Sequence, residues 1–473
     1  MSERNNIRHL ARLVVEAKTP IAIGSGEKSI ETDARIIKDV NGLPYIPATA
    51  IAGVLRHALD ETGKKDHFKL WGYQIPKKKK DGLGSRIVFS NANILDSDGT
   101  PVDGILIKGK SNFLKEFDLL PIRQHAKIND KGATVDKGKF DEEVVYQGTR
   151  FCFEIEMITE EESEEDDHYF DTLLNEFYSK SIRFGGGTRS GFGELAIIAC
   201  KKRTLNLTNE KDLEAYLNKS SSLSENRFWE NANIHQKGNP RESDFIDETI
   251  PIKPLDFFLF ASGSKNSKAS MNPVTESIID WTDGIGKFKK EYILIPATSV
   301  KGALAHRIAY HYNRIEKVYA DDEKLQREEH VGKCNLAVRA LFGEEGDGPQ
   351  GNAQRGNVIF SDIIEVPKGK IKYLNHVAID RFTGGGIEGA LFTEKVNDEH
   401  GREFNLRIII DRRSVNIIAG NKKKSVYKAL DSAINDLCNG MLPLGGGVNR
   451  GNGVFEGKRE DNEFFTNNIE KKS

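Results

Sequence analysis

The stretch GLPYIPATAIAGVLRHAL (42–59) decides how this chain is read, because EYILIPATSVKGALAHRI (291–308) writes it a second time. Ile-Pro-Ala-Thr recurs, Pro47 being answered by Pro296, and an apolar run carrying basic residues follows in both places. Working outward, GSRIVFSNANI (84–94) is echoed by RGNVIFSDIIE (355–365), and FGGGTRSGFGEL (184–195) by LGGGVNRGNGVFEG (444–457). Three unrelated motifs in one order, at offsets that drift only as loop insertions would make them, define an internal duplication.

The motifs give each copy a coarse secondary structure. In the first, a strand over 10–18 leads through IAIGSGEK to a hairpin at Asn41-Gly42, a pair favoured in type I′ turns. A helix follows, for which Thr49, or Thr298 in the second copy, supplies an N-cap hydroxyl. Then come the strand IVFSNA, a polar excursion, a long strand over 144–158, an amphipathic helix over 167–178 and a last strand entered through the glycine-rich turn. The order βαββαβ predicts an α+β chain of two tandem ferredoxin-like domains, the scaffold that RNA-recognition folds also use. The expected domains are 1–202 and 249–473. Residues 203–248, rich in Ser, Asn and charge, read as a linker that Phe228 and Trp229 dock onto a domain.

Composition narrows the function. The 473 residues carry 69 basic and 71 acidic side chains, a net charge of −2, so any nucleic-acid site is local rather than global. Lys77 to Lys80 reads equally as a phosphate contact or a solvated loop, and Glu160 to Asp167 as carboxylates favoured at a helix N-terminus. Cys152, Cys200, Cys334 and Cys438 are too widely spaced for a zinc module, and no P-loop or dinucleotide fingerprint is present. No apolar run reaches the roughly 18 residues of a membrane span, and MSERNNIRHLARLVV lacks a signal-peptide layout. The expectation is a cytoplasmic protein with no membrane partner.

With the repeat laid out, the chain resembles the RAMP superfamily of CRISPR-associated proteins, specifically the backbone subunits of type III effector complexes. DARIIKDVNGLPYIPATAIAGVLRHAL, LWG before GSRIVFSNA, LFG before RGNVIFSDI, HVAIDRFTGGGIEGALFTEKV (376–396) and the glycine-rich ends carry the likeness. A tandem fusion of this length is most similar to the two-copy subunits of type III-D systems. The resemblance implies partners: a CRISPR guide RNA, a complementary target RNA, and other effector subunits including further backbone subunits. It also implies a thumb hairpin in each copy, expected at 120–146 and 376–403, that distorts the guide–target duplex at regular intervals. Sequence would be read by base pairing, leaving the protein shape and phosphate contacts.

Candidate RNA-binding residues follow. Gly186 and Gly187 beside Arg189, and Gly446 and Gly447 beside Arg450, suit backbone approach to phosphate with a guanidinium fork, or a tight turn with an exposed arginine; an arginine in both copies favours the former. Arg56, and Lys301 with Arg307, stand on the repeated helix, Ala52 occupying the place of Lys301 in the first copy. Arg123, His125 and Lys127 alternate along the first thumb, where His125 is either a general acid or a hydrogen-bonding group. Arg381 and Phe382 fall where the family places a duplex wedge, and Asp380 with Arg381 equally suits a structural ion pair.

For catalysis the resemblance points to Asp33, whose counterpart in the family lies beside the distorted target nucleotide and supports metal-dependent cleavage. One carboxylate can hold hydrated Mg²⁺, or another divalent cation, against a kinked phosphate. In the second copy the same count back from Pro296 lands on Thr282, flanked by Asp283, slightly preferred, and Asp280. Trp281 between them either stacks on a base or anchors the loop. The expected activity is endoribonuclease cleavage of paired target RNA at spaced sites. The alternatives are a non-catalytic scaffold and a metal-independent nuclease that processes guide RNA.

Overall fold

The structure, a computed structural model, describes residues 6–27, 32–60, 68–74, 82–129, 133–160, 163–231, 244–262, 269–319, 334–344 and 353–469. Lys77 to Lys80 lie outside them. The first sheet is built on β1 (Ile7–Ala17), whose two faces are both covered. Ala11, Leu13, Val15 and Ala17 point into the main core, which α1 (Ala48–Asp60) closes from one side. Next come β2 (Ile87–Phe89) and β3 (Asn93–Ile94), then the thumb strands β4 (Ile122–Ile128) and β5 (Thr134–Glu143). After the thumb, β6 (Arg150–Thr159), α2 (Glu164–Asn175) and β7 (Leu195–Asn206) complete an antiparallel sheet in the order β7–β1–β6–β2. The sheet strands and helices follow one another as βαββαβ, with the thumb inserted between β3 and β6.

Beyond β7 the chain forms α3 (Glu210–Leu217) and β8 (Glu230–Asn231), which pairs with β7. This strap lies across the back of the sheet, burying Phe228 and Trp229 with Leu10 and Leu205. Arg12, on the back of β1, holds it by donating to the carbonyls of Ser222, Leu223 and Glu225 while its guanidinium stacks over Trp229.

The second copy repeats the plan. Its sheet elements are β9 (Phe245–Pro254), α4 (Ala297–Glu316), β12 (Val358–Phe360), β15 (Phe404–Asp411), α5 (Arg412–Ala419), α6 (Lys423–Cys438) and β16 (Phe455–Gly457). Inserted among them are the hairpin β10 (Thr275–Asp280) and β11 (Lys287–Ile295) and the thumb strands β13 (Lys370–His376) and β14 (Phe392–Asp398). The sheet order β12–β15–β9–β16 matches β2–β6–β1–β7 strand for strand, so the chain is a tandem of ferredoxin-like units. β9 starts at Phe245, a little before the expected second domain.

Several local expectations give way to identifiable forces. At Asn41-Gly42 only Gly42 takes positive φ, and Asp39 accepts from the N–H groups of Asn41 and Leu43, so the turn is not type I′. Thr49 and Thr298 sit inside the first helical turn. The helix starts are capped from the repeated strand motif instead: Asn91 accepts from Ala48 N–H at 2.9 Å and Asp362 from Ala297 N–H at 2.7 Å. The long strand over 144–158 divides at Gly148, and the helix expected over 167–178 runs as α2 with a tighter turn at Glu176–Tyr178. The acidic residues Glu164 to Asp167 form the first turn of α2 behind Ser163, where the helix dipole favours them.

Gly148 divides its strand because the second copy presses on it. A Cβ there would lie 2.0 Å from the Ile279 carbonyl oxygen, and its φ is +85°. Around it the β10–β11 hairpin docks on the first copy: Gln147 pairs with Ile278, Trp281 Nε1 donates to Gly148 O at 2.7 Å, and Arg150 stacks on the indole. Phe288 joins Phe113, Phe117 and Tyr146 in an aromatic cluster. Deeper in the seam Arg123, 5% exposed, sits 2.7 Å from Glu276 and 3.1 Å from Asp362. Burial, together with Asp362 and against the pull of Arg123, pushes the Glu276 carboxyl from 4.5 up to about 7.

Removing one partner of a buried pair leaves an uncompensated charge, so Arg123→Ala should cost about 3–5 kcal/mol in thermal or denaturant unfolding. Because the folded state holds the Glu276 proton more tightly than the unfolded chain, that contribution is full below the ordinary carboxylate range and is lost as pH rises through about 7. The melting temperature should therefore fall across that window in native protein and fall less in Glu276→Gln.

Candidate nucleic-acid interface

The glycine-rich turns are built for close packing of backbone. Gly186 N–H donates to Ala22 O at 2.6 Å and Gly446 N–H to Leu259 O at 2.7 Å, so these two donors are already committed and do not cradle phosphate. Gly187 and Gly447 take left-handed φ values of 63° and 72°, which turn the chain into a short helix in each copy. Because Gly187 and Gly191 match Gly447 and Gly451, Arg189 corresponds to Asn449, and Arg450 to Ser190. The two arginines are therefore not counterparts, and they do different things.

Arg189 projects into the seam. Its turn packs on β12 and α4 of the second copy, where a Cβ on Gly191 would lie 2.8 Å from Phe360 O. Burial, then the nearby Arg355 and Arg183, push the Arg189 guanidinium down to about 9, with Asp411 opposing them. Lys301, reached from the start of α4, is lowered by burial and by Arg189. Neither Arg189 nor Lys301 has an ion pair among the described residues, whereas Arg183 is held by Glu194 at 2.6 Å. A half-buried, uncompensated pair of cations is unfavourable in the free protein and becomes favourable once an anion enters. Sequence reasoning chose Arg189 and Lys301 separately. It did not foresee that they meet, nor that Arg355, three residues before the repeated VIF strand, joins them.

Other expected contacts are committed elsewhere. Arg307 pairs with Asp436 on α6 and stacks on Tyr310, so it braces two helices. Arg56 is exposed and donates to Gly72 O at 3.2 Å. Arg123 is spent in the seam, so the expectation that Arg123, His125 and Lys127 face RNA together does not hold. Along β4 these residues grade from buried Arg123 through half-buried His125 to exposed Lys127. His125 lies 2.8 Å from Glu142 and stacks on Phe140.

The second thumb begins earlier than 376, with strands at 370–376 and 392–398 and a long tip between them. Arg381 and Phe382 stand at that tip, Phe382 94% exposed, in the company of exposed Val377, Ile379 and Leu391. Asp380 accepts from the N–H groups of Phe382 and Thr383 and from the Thr383 hydroxyl, so it caps the turn rather than pairing with Arg381. A rigid turn presenting apolar side chains to water suits insertion between bases.

Asp33 is exposed and tied to the base of the first thumb. Its Oδ2 accepts from Asp141 N–H at 3.2 Å, Ala34 pairs with Glu142, and Glu143 accepts from Ile36 N–H. Among the described residues no group of three or more His, Cys, Asp or Glu side chains is arranged to hold a metal ion. A single exposed carboxylate nevertheless fits a hydrated Mg²⁺ that takes its other oxygen ligands from RNA phosphate and water.

In the second copy the count from Pro296 misleads. Ala22 and Leu259 meet Gly186 and Gly446; the bridges Ile21–Val145, Gly24–Ile36 and Ala34–Glu142 recur as Phe258–Asn397, Ala261–Pro273 and Met271–Glu394. The residue before Met271 is Ser270, and it stands where Asp33 stands. Asp280 and Asp283 belong to the β10–β11 hairpin, a longer form of the short first-copy hairpin whose Lys38–Pro44 bridge matches Thr275–Ile293. Asp280 accepts from the N–H and hydroxyl of Thr282, which lower its pKa, and Asp283 pairs with Lys287 at 2.7 Å. Trp281 anchors that hairpin to the first copy.

Two ferredoxin-like units, each with a thumb, meet over a seam in which Arg189, Lys301 and Arg355 gather. The sequence pattern of the RAMP superfamily matches residues 14–196 and 285–456, and the chain belongs to that superfamily, whose members are RNA-binding subunits of CRISPR effector complexes. No curated protein matches the chain. No helix among the described residues is long and apolar enough to cross a membrane.

Lys301→Met keeps the side-chain volume and removes the charge. It should raise the melting temperature of the free protein, weaken RNA binding at low salt, and lower the slope of log affinity against log salt by roughly 0.7–0.9. Unchanged slope with unchanged stability would remove the seam from the RNA path.

Proposed function

We propose that the chain is a guide-RNA-binding backbone subunit of a type III CRISPR effector complex and that it cleaves base-paired target RNA at Asp33. The observation that carries the binding part is the half-buried, uncompensated pair Arg189 and Lys301 in the seam, whose cost an RNA phosphate offsets. Each thumb would supply distortion at its own step, the second through Phe382 and its apolar neighbours; beside the first, a nucleotide leaves the stack and its phosphate turns towards in-line geometry at Asp33.

Asp33 is assigned the cleavage part on the ground that its loop is hydrogen-bonded to the base of the first thumb. A divalent cation such as Mg²⁺ would neutralise charge on the phosphate and the leaving oxygen. At phosphorus the neighbouring 2′ oxygen forms a bond as the bond to the 5′ oxygen breaks; the 2′ proton passes to solvent and the 5′ oxygen takes one from water. Asp33 would hold such a cation, and the seam and thumb would fix the strand.

The test is cleavage of an end-labelled, guide-matched RNA by the reconstituted complex with Mg²⁺. Asp33→Ala should reduce one discrete product on the order of 1,000-fold, corresponding to several kcal/mol of lost charge stabilisation, with target binding retained. Asp280→Ala and Asp283→Ala should leave every product. A full product set from Asp33→Ala would reduce the chain to a scaffold, and cleavage persisting in EDTA would favour metal-independent processing.

A further inference from the structure

The second copy repeats nearly every part of the frame around Asp33. Thr32 and Ala269, which precede the two positions, are both buried, and Asp33 and Ser270 are both exposed. On the first thumb His125 lies 2.8 Å from Glu142 and its ring stacks on Phe140 with centroids 4.6 Å apart. On the second, His376 lies 3.1 Å from Glu394 and stacks on Phe392 with centroids 4.8 Å apart. The strand register makes these three residues counterparts one by one, since His125 pairs with Phe140 and His376 with Phe392 across their hairpins.

Four substitutions in this frame shift charge in one direction, two of them on the thumb, where Asp141 and Glu143 of the first copy are answered by Thr393 and Lys395. Where the first copy has Asp33 the second has Ser270, which removes a carboxylate. Where the first has Ser190 the second has Arg450, whose guanidinium bonds to Glu394 and lies 5.5 Å over the Phe392 ring. A site that loses an anion and gains a cation holds phosphate better and a divalent cation worse.

We propose that the second copy is a silent counterpart of the first: it grips the distorted target strand with the same frame but does not cut it, and Ser270 is the residue that sets this. Each chain then makes a single cut. The inference rests on the assignment of cleavage to Asp33. It also explains why a thumb-base histidine recurs in the copy that lacks the Asp33 carboxylate: the His–Glu–Phe set shapes the hairpin base in both copies and is not itself the cutting group.

The same end-labelled assay decides, run on assembled complex carrying native chain, Asp33→Ala, Ser270→Ala, Ser270→Asp, or Asp33→Ala with Ser270→Asp. Native chain should give one product that Asp33→Ala loses and Ser270→Ala keeps. Ser270→Asp should add a second product, displaced along the target, that survives in the double variant. A product lost with Ser270→Ala would overturn the inference by showing that the second copy already cuts. So would a Ser270→Asp complex that assembles, binds target as the native one does and gives no new product while its first cut still depends on Asp33. If Ser270→Asp fails to assemble, Ser270→Glu with Arg450→Ser is read by the same criterion. All products surviving in Asp33→Ala would be a different failure, that of the Asp33 assignment itself.

Discussion

Arg123 between Glu276 and Asp362 is the constraint on which the rest of this molecule depends. The three groups come from the first thumb, the docking hairpin and the end of β12, so one buried cation fixes three elements of two copies. Asp362 also accepts from Ala297 N–H and so sets where α4 begins, which in turn determines how far Lys301 reaches towards Arg189. A buried ion pair is weak evidence for stability, since desolvation opposes the attraction, but it is strongly directional. Here its effect is register: a slip of one residue along β10 or β4 would strand a charge in the seam.

That seam explains how a chain of net charge −2 can present a site for a polyanion. Several of its cations are neutralised locally, as with Arg12 on Glu154, Arg407 on Asp247 and Arg459 on Glu248 and Asp431. Arg189 and Lys301 are left over because the surfaces that bury them belong to different copies. The uncompensated charge is thus a property of the junction between the copies.

The duplication and the order of elements were legible in the sequence because each rests on local chemistry: Ile-Pro before a helix, a Phe-Ser strand end, glycines needing positive φ; the thumbs were legible only through the family resemblance. What stayed hidden was relational. Counting back from Pro296 assumed equal spacing, whereas the β10–β11 hairpin lengthens that segment, so the count reached Thr282 instead of Ser270. The glycine turns looked alike with an arginine in each, yet a one-residue offset sends Arg189 to the partner copy and Arg450 to its own thumb. Arg123 and Arg307 looked like surface cations because their carboxylate partners lie far away in sequence. A periodic pattern reports which face a residue takes, not what stands opposite.

The two copies diverge most where they meet. Arg123 has Leu374 as its counterpart, since each pairs with the equivalent glutamate across its thumb, and the docking hairpin is only a short turn bridged by Lys38 and Pro44 in the first copy. The contact is heterologous: the thumb side of one copy meets the hairpin side of the next. Such a contact does not close on itself, so one face of each copy is left without its match within this chain. Divergence at these positions is then expected on physical grounds, because a buried arginine is tolerable only where carboxylates face it. Leu374 marks the face of the second copy to which no glutamate is presented across a copy junction among the described residues. The shared frame around Asp33 and Ser270, by contrast, has the same strands and the same thumb base to support it in both copies, and there the divergence is confined to charge.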